Sequence, residues 1–365
     1  MLDKISSLPL EQKIGQLFFI GLPGVKLDEE AKLLLNEVTA GGVCLFARNI
    51  REAEDTRKLL DDLREFLPVE PILSLDQEGG LVDRLRRIIP PMPSASSLKT
   101  IENAKKLAEI TAQVIRILGF NTNFAPVVDI PTKESIKTQN GLQSRFLGDG
   151  VEEVIRLSES YLKTLQDNNI LGCPKHFPGL GASEVDSHEE LPIVNSNLQI
   201  LQENDLVPYK KLLSETHQVM IAHAAYPNLD LQERDQNGKL LPSSLSFNIV
   251  TKLLRQEIGF KGLVVTDDLE MGAILKNYGI GEACKMAFRA GVDMFLICAN
   301  TDSIREAYKV IFKAIQSGEI SEARLNESLQ RIAEFKKLID PPLPFDKNRL
   351  TELSKEIEKF NEKLK

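Results

Sequence analysis

The sequence lacks several features by which whole classes of protein are recognised. Its 365 residues carry a formal net charge of −8 and no long run of lysine or arginine. A general nucleic-acid binder is therefore excluded, because it needs a basic surface to neutralise phosphates. No apolar run reaches the roughly 18 residues of a membrane-spanning helix. No strand-like segment leads into G-x-G-x-x-G or a P-loop pattern, the common signatures of dinucleotide and nucleotide binding.

Cysteine is scarce and widely spaced. Cys44, Cys173, Cys284 and Cys298 form no C-x-x-C pair, and three of them lie in apolar segments. We therefore expect buried free thiols. The N-terminal segment MLDKISSLPLEQKIGQLFF lacks the basic start, apolar core and small-residue cleavage site of a secretory signal. These features favour a protein of the reducing cytoplasm with no membrane partner.

Short apolar runs alternate with segments of helical periodicity. Such alternation indicates a parallel sheet, and eight units favour a single closed (β/α)8 TIM-like barrel over a doubly wound open sheet. We predict the barrel over residues 1–340, and a linker with a short C-terminal amphipathic helix, a helical tail, over 341–365. The predicted strands are 17–22, 42–46, 72–76, 124–130, 172–177, 219–223, 262–267 and 294–299.

Ionisable residues end several of the predicted strands. They are Asp76, Lys175 with His176, His223 and Asp267. In a barrel of this kind the chemistry lies at the C-terminal ends of the strands. A single residue of this type is as readily a buried, hydrogen-bonded cap, but the convergence of several favours a functional site.

Two of these strand ends carry carboxylates with further polar neighbours. The segment GLVVTDD delivers Asp267 and Asp268 to the barrel mouth, where we expect one of them to be structural. A carboxylate there can attack an electrophilic carbon or stabilise a cation, as in glycoside cleavage. Asp76 is followed by a double glycine and Arg84, so both charges could face one ligand. An ion pair that closes a turn is the alternative, and it is favoured when this pair is judged alone.

The segment KHFPGLGASEVDSHEELP, residues 175–192, concentrates two of the four histidines in a loop. Asp186 and His188 lie two positions apart, so the carboxylate can bond one ring nitrogen and leave the other to exchange a proton. A polar surface turn is the alternative. The spacing from His176 to His188 matches no compact zinc motif, so no metal is expected.

Together these motifs resemble the bacterial glycoside hydrolase family 3 β-N-acetylhexosaminidases of the single-domain type that recycles cell-wall fragments. The resemblance runs from LEQKIGQLFFIGLPG through SLDQEGGLVDRL and NFAPVVDI to IGFKGLVVTDDLEMGAI and AGVDMFLICAN. It implies that Asp267 is the nucleophile of a covalent glycosyl-enzyme, and that His188, oriented by Asp186, is the acid/base. It also implies that the N-acetylglucosamine unit is bound by Asp76, Arg84, Arg145 of SRFLGDG, Lys175 and His176.

Two features distinguish this sequence from other members of the family it resembles. In two-domain relatives that cleave glucosides, the acid/base glutamate comes from outside the barrel. No second domain follows the predicted barrel here, so we expect the D-S-H segment, 186–188, to supply this group. The family usually reads KHFPGHG, and Leu180 stands in place of the second histidine. This change bears on loop hydration and leaving-group contacts, and it leaves the predicted dyad and nucleophile in place.

The expected activity is exo-acting, retaining hydrolysis of terminal β-linked N-acetylglucosamine from peptidoglycan-derived fragments or chito-oligosaccharides. Carboxylate and imidazole cover the nucleophilic and proton-transfer roles, so no metal or organic cofactor is expected. A phosphorylase is one alternative, because a neutral imidazole repels phosphate less than a carboxylate does. A catalytically silent sugar-binding barrel is another, against which the presence of every implied site residue argues. The sequence leaves the preferred aglycone, β-glucoside side activity and the oligomeric state open.

Overall fold

The sheet is built from short parallel strands. The computed structural model describes residues 1–133, 135–137, 141–183, 187 and 190–365, and within these residues it contains one eight-stranded sheet. The strand order is β5-β4-β3-β2-β1-β8-β7-β6, so the first strand lies beside the last. The strands are β1 Phe18–Ile20, β2 Gly42–Cys44, β3 Ile72–Leu75, β4 Thr122–Asn123, β5 Leu171–Gly172, β6 Gln218–Ile221, β7 Leu263–Asp268 and β8 Met294–Ile297.

Backbone hydrogen bonds bridge the remaining seam, between β5 and β6. Beyond the end of β5, Phe177 N donates to Met220 O at 2.9 Å and Ala222 N donates to Phe177 O at 2.8 Å. Met220 N donates to Pro174 O at 3.2 Å. With β1 paired to both β2 and β8, the sheet curls into a nearly closed barrel. The predicted TIM-like (β/α)8 architecture is confirmed.

Helices connect the strands and surround the barrel, and two short ones precede β1. Each long helix buries an apolar stripe, and several begin at a polar side chain that accepts an amide of the first turn, as Thr100 does for Asn103 N. In the described part of the chain the helices are α1 Leu2–Ser6, α2 Leu10–Gly15, α3 Glu29–Val38, α4 Ala53–Phe66, α5 Ile101–Leu118, α6 Val151–Asp167, α7 Leu198–Glu203, α8 Leu206–Lys211, the π-helix Asn248–Glu257, α9 Gly272–Leu275, α10 Ile280–Ala290, α11 Thr301–Gln316, α12 Glu322–Lys336 and α13 Lys347–Lys363, with 3-10 turns at Ala95–Ser97, Ser135–Lys137 and Ser243–Leu245.

Strands β4 and β5 end earlier than the apolar runs that predicted them. The runs extend to residues 130 and 177, but the strands end at Asn123 and Gly172. Pro126 and Pro174 have no amide hydrogen to continue the ladder. The chain then runs beyond the sheet, held by Val128 N donating to Lys175 O at 2.8 Å. These loops, rather than strands, carry the polar residues of both segments.

The C-terminal helix α13 packs against α5. It begins at Lys347, where the side chain of Asp346 accepts the amide of Arg349 at 2.9 Å. An ion pair of 2.7 Å joins Glu356 of α13 to Lys106 of α5. The division of the chain at residue 340 stays a prediction.

Two further properties concern the whole described chain. Cys44, Cys173, Cys284 and Cys298 are buried and free. None of the helices built from described residues combines the length and the apolar character that crossing a membrane requires.

Candidate active site

A cavity of about 410 Å³ opens at the C-terminal ends of the strands. The sequence placed eight residues in a site, and six of them line this cavity: Asp76, Arg84, Arg145, Lys175, His176 and Asp267. The other two, Asp186 and His188, lie outside the described residues. The remaining lining residues are Phe46, Glu78, Val82, Gly141, Leu142, Leu180, Ser187, Met220, Asp268, Glu270, Met271, Leu296 and Ala299.

The loop after β3 turns back sharply and brings a guanidinium beside a carboxylate. The turn uses Gly79 and Gly80, whose φ angles of 90° and 58° favour glycine. Gly79 N donates to Val82 O at 3.1 Å across the turn. Arg84 thereby returns to the strand end, where its Nη2 lies 3.4 Å from Asp76 Oδ2.

A chain of ion pairs lines one wall of the cavity. Lys175 Nζ lies 2.8 Å from Asp76 Oδ1 and 2.7 Å from Glu78 Oε1. Glu78 in turn accepts two hydrogen bonds from Arg145, at 2.8 and 3.0 Å. The Lys175 side chain is only 2 % exposed, so its charge depends on these carboxylates. Every buried charge of this wall has an opposite partner.

The ion pairs keep these groups charged despite their burial. Burial alone lowers the pKa of Lys175, but Asp76 and Glu78 outweigh it and the pKa is raised. Burial alone raises the pKa of Asp76, which Lys175 and Arg84 nevertheless bring below its usual value. In the same way Arg145 and Lys175 overcome burial and lower the pKa of Glu78. The wall therefore offers fixed anionic acceptors and cationic donors to a polar ligand.

Two acidic residues of this region, Glu78 in the wall and Asp129 behind it, were not among the residues predicted from the sequence. Glu78 follows Asp76 by two positions, and nothing in its surroundings marks it as the partner of two cations. Asp129 is the penultimate residue of the apolar run FAPVVDI, so a search for ionisable residues one position before the end of a run would have found it. Its Oδ2 lies 2.7 Å from Nδ1 of His176, and its Oδ1 accepts the amide of Leu180 at 2.7 Å. Asp129 is buried and does not line the cavity.

A register shift near the end of β7 brings two adjacent carboxylates to the cavity. Val265 pairs with Met294, but Asp268 rather than Asp267 pairs with Leu296. Regular alternation would point Asp267 and Asp268 to opposite faces, and a bulge of this kind re-aims side chains. Both aspartates therefore line the cavity.

The two aspartates have different surroundings. Asp267 Oδ1 accepts the amide of Asp268 at 2.8 Å, and among the described residues no cation lies within ion-pair distance of its carboxylate. Asp268 Oδ1 accepts the amide of Glu270 at 3.0 Å. Burial, with the charges of Glu270 and Asp267, raises the pKa of Asp268 to about 7. Within the described part of the chain, Asp267 thus presents a carboxylate without a cationic partner, while Asp268 is bound into the loop.

His223, two residues beyond the end of β6, supports this pair from behind. Its Nε2 lies 3.1 Å from the carbonyl oxygen of Asp268, and its Nδ1 lies 2.7 Å from Ser244 Oγ. Because a carbonyl only accepts, Nε2 donates and Nδ1 accepts the hydroxyl. Burial lowers the pKa of His223, and the ring does not line the cavity. His223 is therefore a structural support for the end of β7.

Ser187, between Asp186 and His188 in the sequence, belongs to the cavity wall. Its carbonyl oxygen accepts the amide of Ala273 at 3.3 Å. The predicted roles of Asp186 and His188 stay predictions.

The mouth of this TIM-like barrel combines the Asp267 carboxylate, which has no cationic partner among the described residues, with a wall of charged donors and acceptors. Such a site suits a polyhydroxylated ligand and defines a carbohydrate-active enzyme. The sequence matches the model of the glycosyl hydrolase family 3 N terminal domain over residues 9–335. The chain belongs to this family and is a glycoside hydrolase.

Known relatives agree with the match. The chain is 31% identical over 290 residues to a β-hexosaminidase of Psychromonas ingrahamii. This alignment covers 76% of the chain and 81% of the relative. It is 32% identical over 308 residues to a β-hexosaminidase of Neisseria meningitidis, covering 80% and 82%. A solved family 3 β-N-acetylglucosaminidase from Paenibacillus superposes with a TM-score of 0.86 at 32% identity, covering 97% of this chain and 69% of that one.

Proposed function

We propose that the protein is an exo-acting, retaining β-N-acetylglucosaminidase. The observation that carries the proposal is the carboxylate of Asp267, which lines the cavity with no described cation within ion-pair distance. A nucleophile needs this accessibility, whereas the carboxylates of Asp76 and Glu78 are occupied by ion pairs. The names of the similar hexosaminidases support the choice of sugar.

In the proposed reaction Asp267 attacks the anomeric carbon as the glycosidic bond breaks. The imidazolium of His188, oriented by Asp186, gives its proton to the departing oxygen. The neutral imidazole then takes a proton from water, whose oxygen displaces Asp267 and restores the free carboxylate. Two displacements retain the anomeric configuration. Asp76, Arg84, Arg145, Lys175 and His176 bind the sugar in this scheme.

The wall of ion pairs supports the proposed binding role. Asp76 remains 16% exposed and Arg84 26% exposed at the cavity side. The Nε atom of Arg84 is buried and has no hydrogen-bond partner among the described residues, so a ligand acceptor there would satisfy it. These positions suit hydroxyl groups, which both donate and accept.

We propose a terminal N-acetylglucosamine of a peptidoglycan fragment or a chito-oligosaccharide as the substrate. The cavity of about 410 Å³ has the size of a small-molecule site rather than of a long polymer groove. We also propose that the protein acts in the cytoplasm, and its four buried, unbridged cysteines support a reducing compartment.

The proposal is tested by turnover of three matched aryl glycosides, β-N-acetylglucosaminide, β-N-acetylgalactosaminide and β-glucoside, each with and without inorganic phosphate. We expect the first to be the best substrate and free sugar to be the product in both buffers. Formation of a sugar 1-phosphate only when phosphate is present would instead identify a phosphorylase. Absence of turnover of all three, with binding retained, would identify a silent sugar-binding barrel.

A further inference from the structure

The imidazole of His176 lies between an obligatory acceptor and an obligatory donor. On one side Nδ1 lies 2.7 Å from Asp129 Oδ2. On the other side Nε2 lies 3.3 Å from Nη2 of Arg145. A guanidinium has only donors, so Nε2 must accept, and the ring proton therefore resides on Nδ1 and is donated to the carboxylate. This tautomer is the opposite of that of His223, whose Nε2 donates to a carbonyl.

In the described chain, the carboxylate of Asp129 is the acceptor in every hydrogen bond that it makes. Its Oδ2 faces Nδ1 of His176, and its Oδ1 faces the amides of Leu180 at 2.7 Å and of His176 at 3.3 Å. The residue is 1% exposed and lies outside the cavity lining. It therefore cannot touch a ligand in the cavity, and it can act on the reaction only through the groups it holds, which are His176 and the backbone of Leu180.

Arg145 connects the His176 ring to the cavity, which the arginine lines. Arg145 donates to His176 with the same Nη2 that donates to Glu78 at 3.0 Å, and its Nε donates to Glu78 at 2.8 Å. Two acceptors from different loops thus fix the guanidinium plane, one after β3 and one after β5. If Nε2 of His176 carried the proton, its N–H would face the N–H of Arg145 Nη2. Two donors repel each other, so the guanidinium would shift.

We infer that Asp129 is a positioning residue, which fixes His176 as the Nδ1–H tautomer and thereby holds the guanidinium of Arg145 in place for the sugar. The part of this inference that concerns the sugar rests on the proposed function. The tautomer of His176 does not depend on it. The two parts therefore need separate measurements.

The tautomer is measured in protein labelled with ¹⁵N-histidine, which contains only four imidazoles. At neutral pH we expect His176, assigned by the loss of its signals in His176→Asn, to carry its proton on Nδ1 with Nε2 unprotonated. His223 serves as the internal reference for the opposite tautomer. A wild-type spectrum that shows His176 protonated on Nε2 overturns the inference, and it needs no variant to do so.

Asp129→Asn tests the cause. An asparagine that keeps its oxygen toward the two amides must turn its NH₂ toward Nδ1, which then has to accept, so the proton moves to Nε2. We expect this tautomer change together with a KM raised about tenfold and a smaller change in kcat. The matched control is Asp205→Asn. Asp205 is another buried carboxyl nearby, and its side chain packs against Gly179. The control should keep both the His176 tautomer and KM.

The outcomes separate the two claims. If Asp129→Asn leaves the His176 tautomer unchanged, Asp129 does not set it and the inference fails. If the tautomer changes but KM does not, Asp129 acts on the ring alone and not on sugar binding. If the wild type shows the expected tautomer but hydrolyses no glycoside, the proposed function fails while the assignment of the tautomer stands.

Discussion

Lys175 Nζ lies 2.8 Å from Asp76 Oδ1, although the two residues follow β5 and β3, which β4 separates in the sheet. The ion pair therefore crosses the mouth of the barrel from one loop to another. Lys175 is only 2 % exposed, and Glu78 gives it a second carboxylate at 2.7 Å. Asp76 thus has two tasks, since it faces the cavity and also neutralises a buried ammonium.

The first prediction separates binding from stability at this wall. Arg84→Ala should raise KM about tenfold or more while kcat changes less, because its guanidinium meets Asp76 only at 3.4 Å and remains available to a ligand. The melting temperature should change little. Steady-state kinetics on the aryl N-acetylglucosaminide and a thermal melt provide both values.

The control for Arg84 is Arg86→Ala, on the same turn but outside the cavity lining. Its KM should match the wild type. Asp76→Ala should instead raise KM and also lower the melting temperature, since it leaves Lys175 with a single carboxylate partner. A large loss of kcat at unchanged KM in Arg84→Ala would show that this residue is not a binding group.

The second prediction distinguishes the adjacent aspartates. Asp267→Ala should lower kcat by roughly 10⁴-fold with little change in melting temperature, because this carboxylate has no cationic partner among the described residues and forms one hydrogen bond to a backbone amide. Asp268→Ala, the matched variant, loses a hydrogen bond to the amide of Glu270. It should lower the melting temperature more than Asp267→Ala does and lower kcat less. The reverse pattern would make Asp268 the nucleophile.

The third prediction concerns His188, which lies outside the described residues. General-acid help matters most when the leaving group is poor. His188→Ala should therefore slow cleavage of a natural sugar aglycone by about 10²- to 10⁴-fold and slow an activated aryl glycoside far less. Asp186→Ala should show the same dependence more mildly, because the imidazole remains. Equal slowing of both substrates would make His188 a binding or structural residue.

The fourth prediction concerns Lys336, far from the cavity. Its buried ammonium donates to Gln16 Oε1 at 2.9 Å, and burial lowers its pKa to about 7. In the unfolded chain the pKa is near 10.4. Below pH 7 both states hold the proton and the full cost of burial is present. Between pH 7 and about 10 the unfolded state binds more protons, so wild-type stability should rise with pH.

Lys336→Met removes this group. Relative to wild type, the variant should be more stable below pH 7, and this difference in the free energy of unfolding should shrink by roughly 4 kcal/mol toward pH 10, because each pKa unit is worth about 1.4 kcal/mol. Urea unfolding at pH 6, 8 and 10 measures the difference. Lys337→Met changes the neighbouring exposed lysine, which pairs with Glu334, and should show no such pH dependence. A gain that is constant with pH would show that Lys336 is not titrating.

Sequence predicted the barrel well because its signals are local. Apolar runs and helical periodicity report which segments are buried, and all eight predicted strand segments overlap or adjoin an observed strand. The ends of β4 and β5 were wrong, because an apolar run also continues into buried loops such as those after Asn123 and Gly172. The prolines at 126 and 174 were the available signal for these ends.

The sequence predicted individual residues of the site but not the contacts between them. Strand-end position and family resemblance together selected Asp76, Lys175, His176 and Asp267, which the barrel brings to one cavity. The bidentate pairing of Glu78 with Arg145 could not be predicted, because it joins residues 67 positions apart through loops whose course depends on tertiary packing. His223 satisfied the strand-end criterion equally well, yet it is enclosed behind β7.

The central claim is that Asp267 forms a covalent bond to the sugar. The most direct measurement is trapping with an activated 2-fluoro sugar, followed by tryptic mapping. We predict that the label lies on the peptide of residues 262–276, GLVVTDDLEMGAILK, and that fragmentation places it on Asp267. Asp267→Ala should remain unlabelled. A label on Asp268, or no label in an enzyme that hydrolyses the aryl N-acetylglucosaminide, would contradict the account and, in the second case, favour attack by the substrate's own acetamido oxygen.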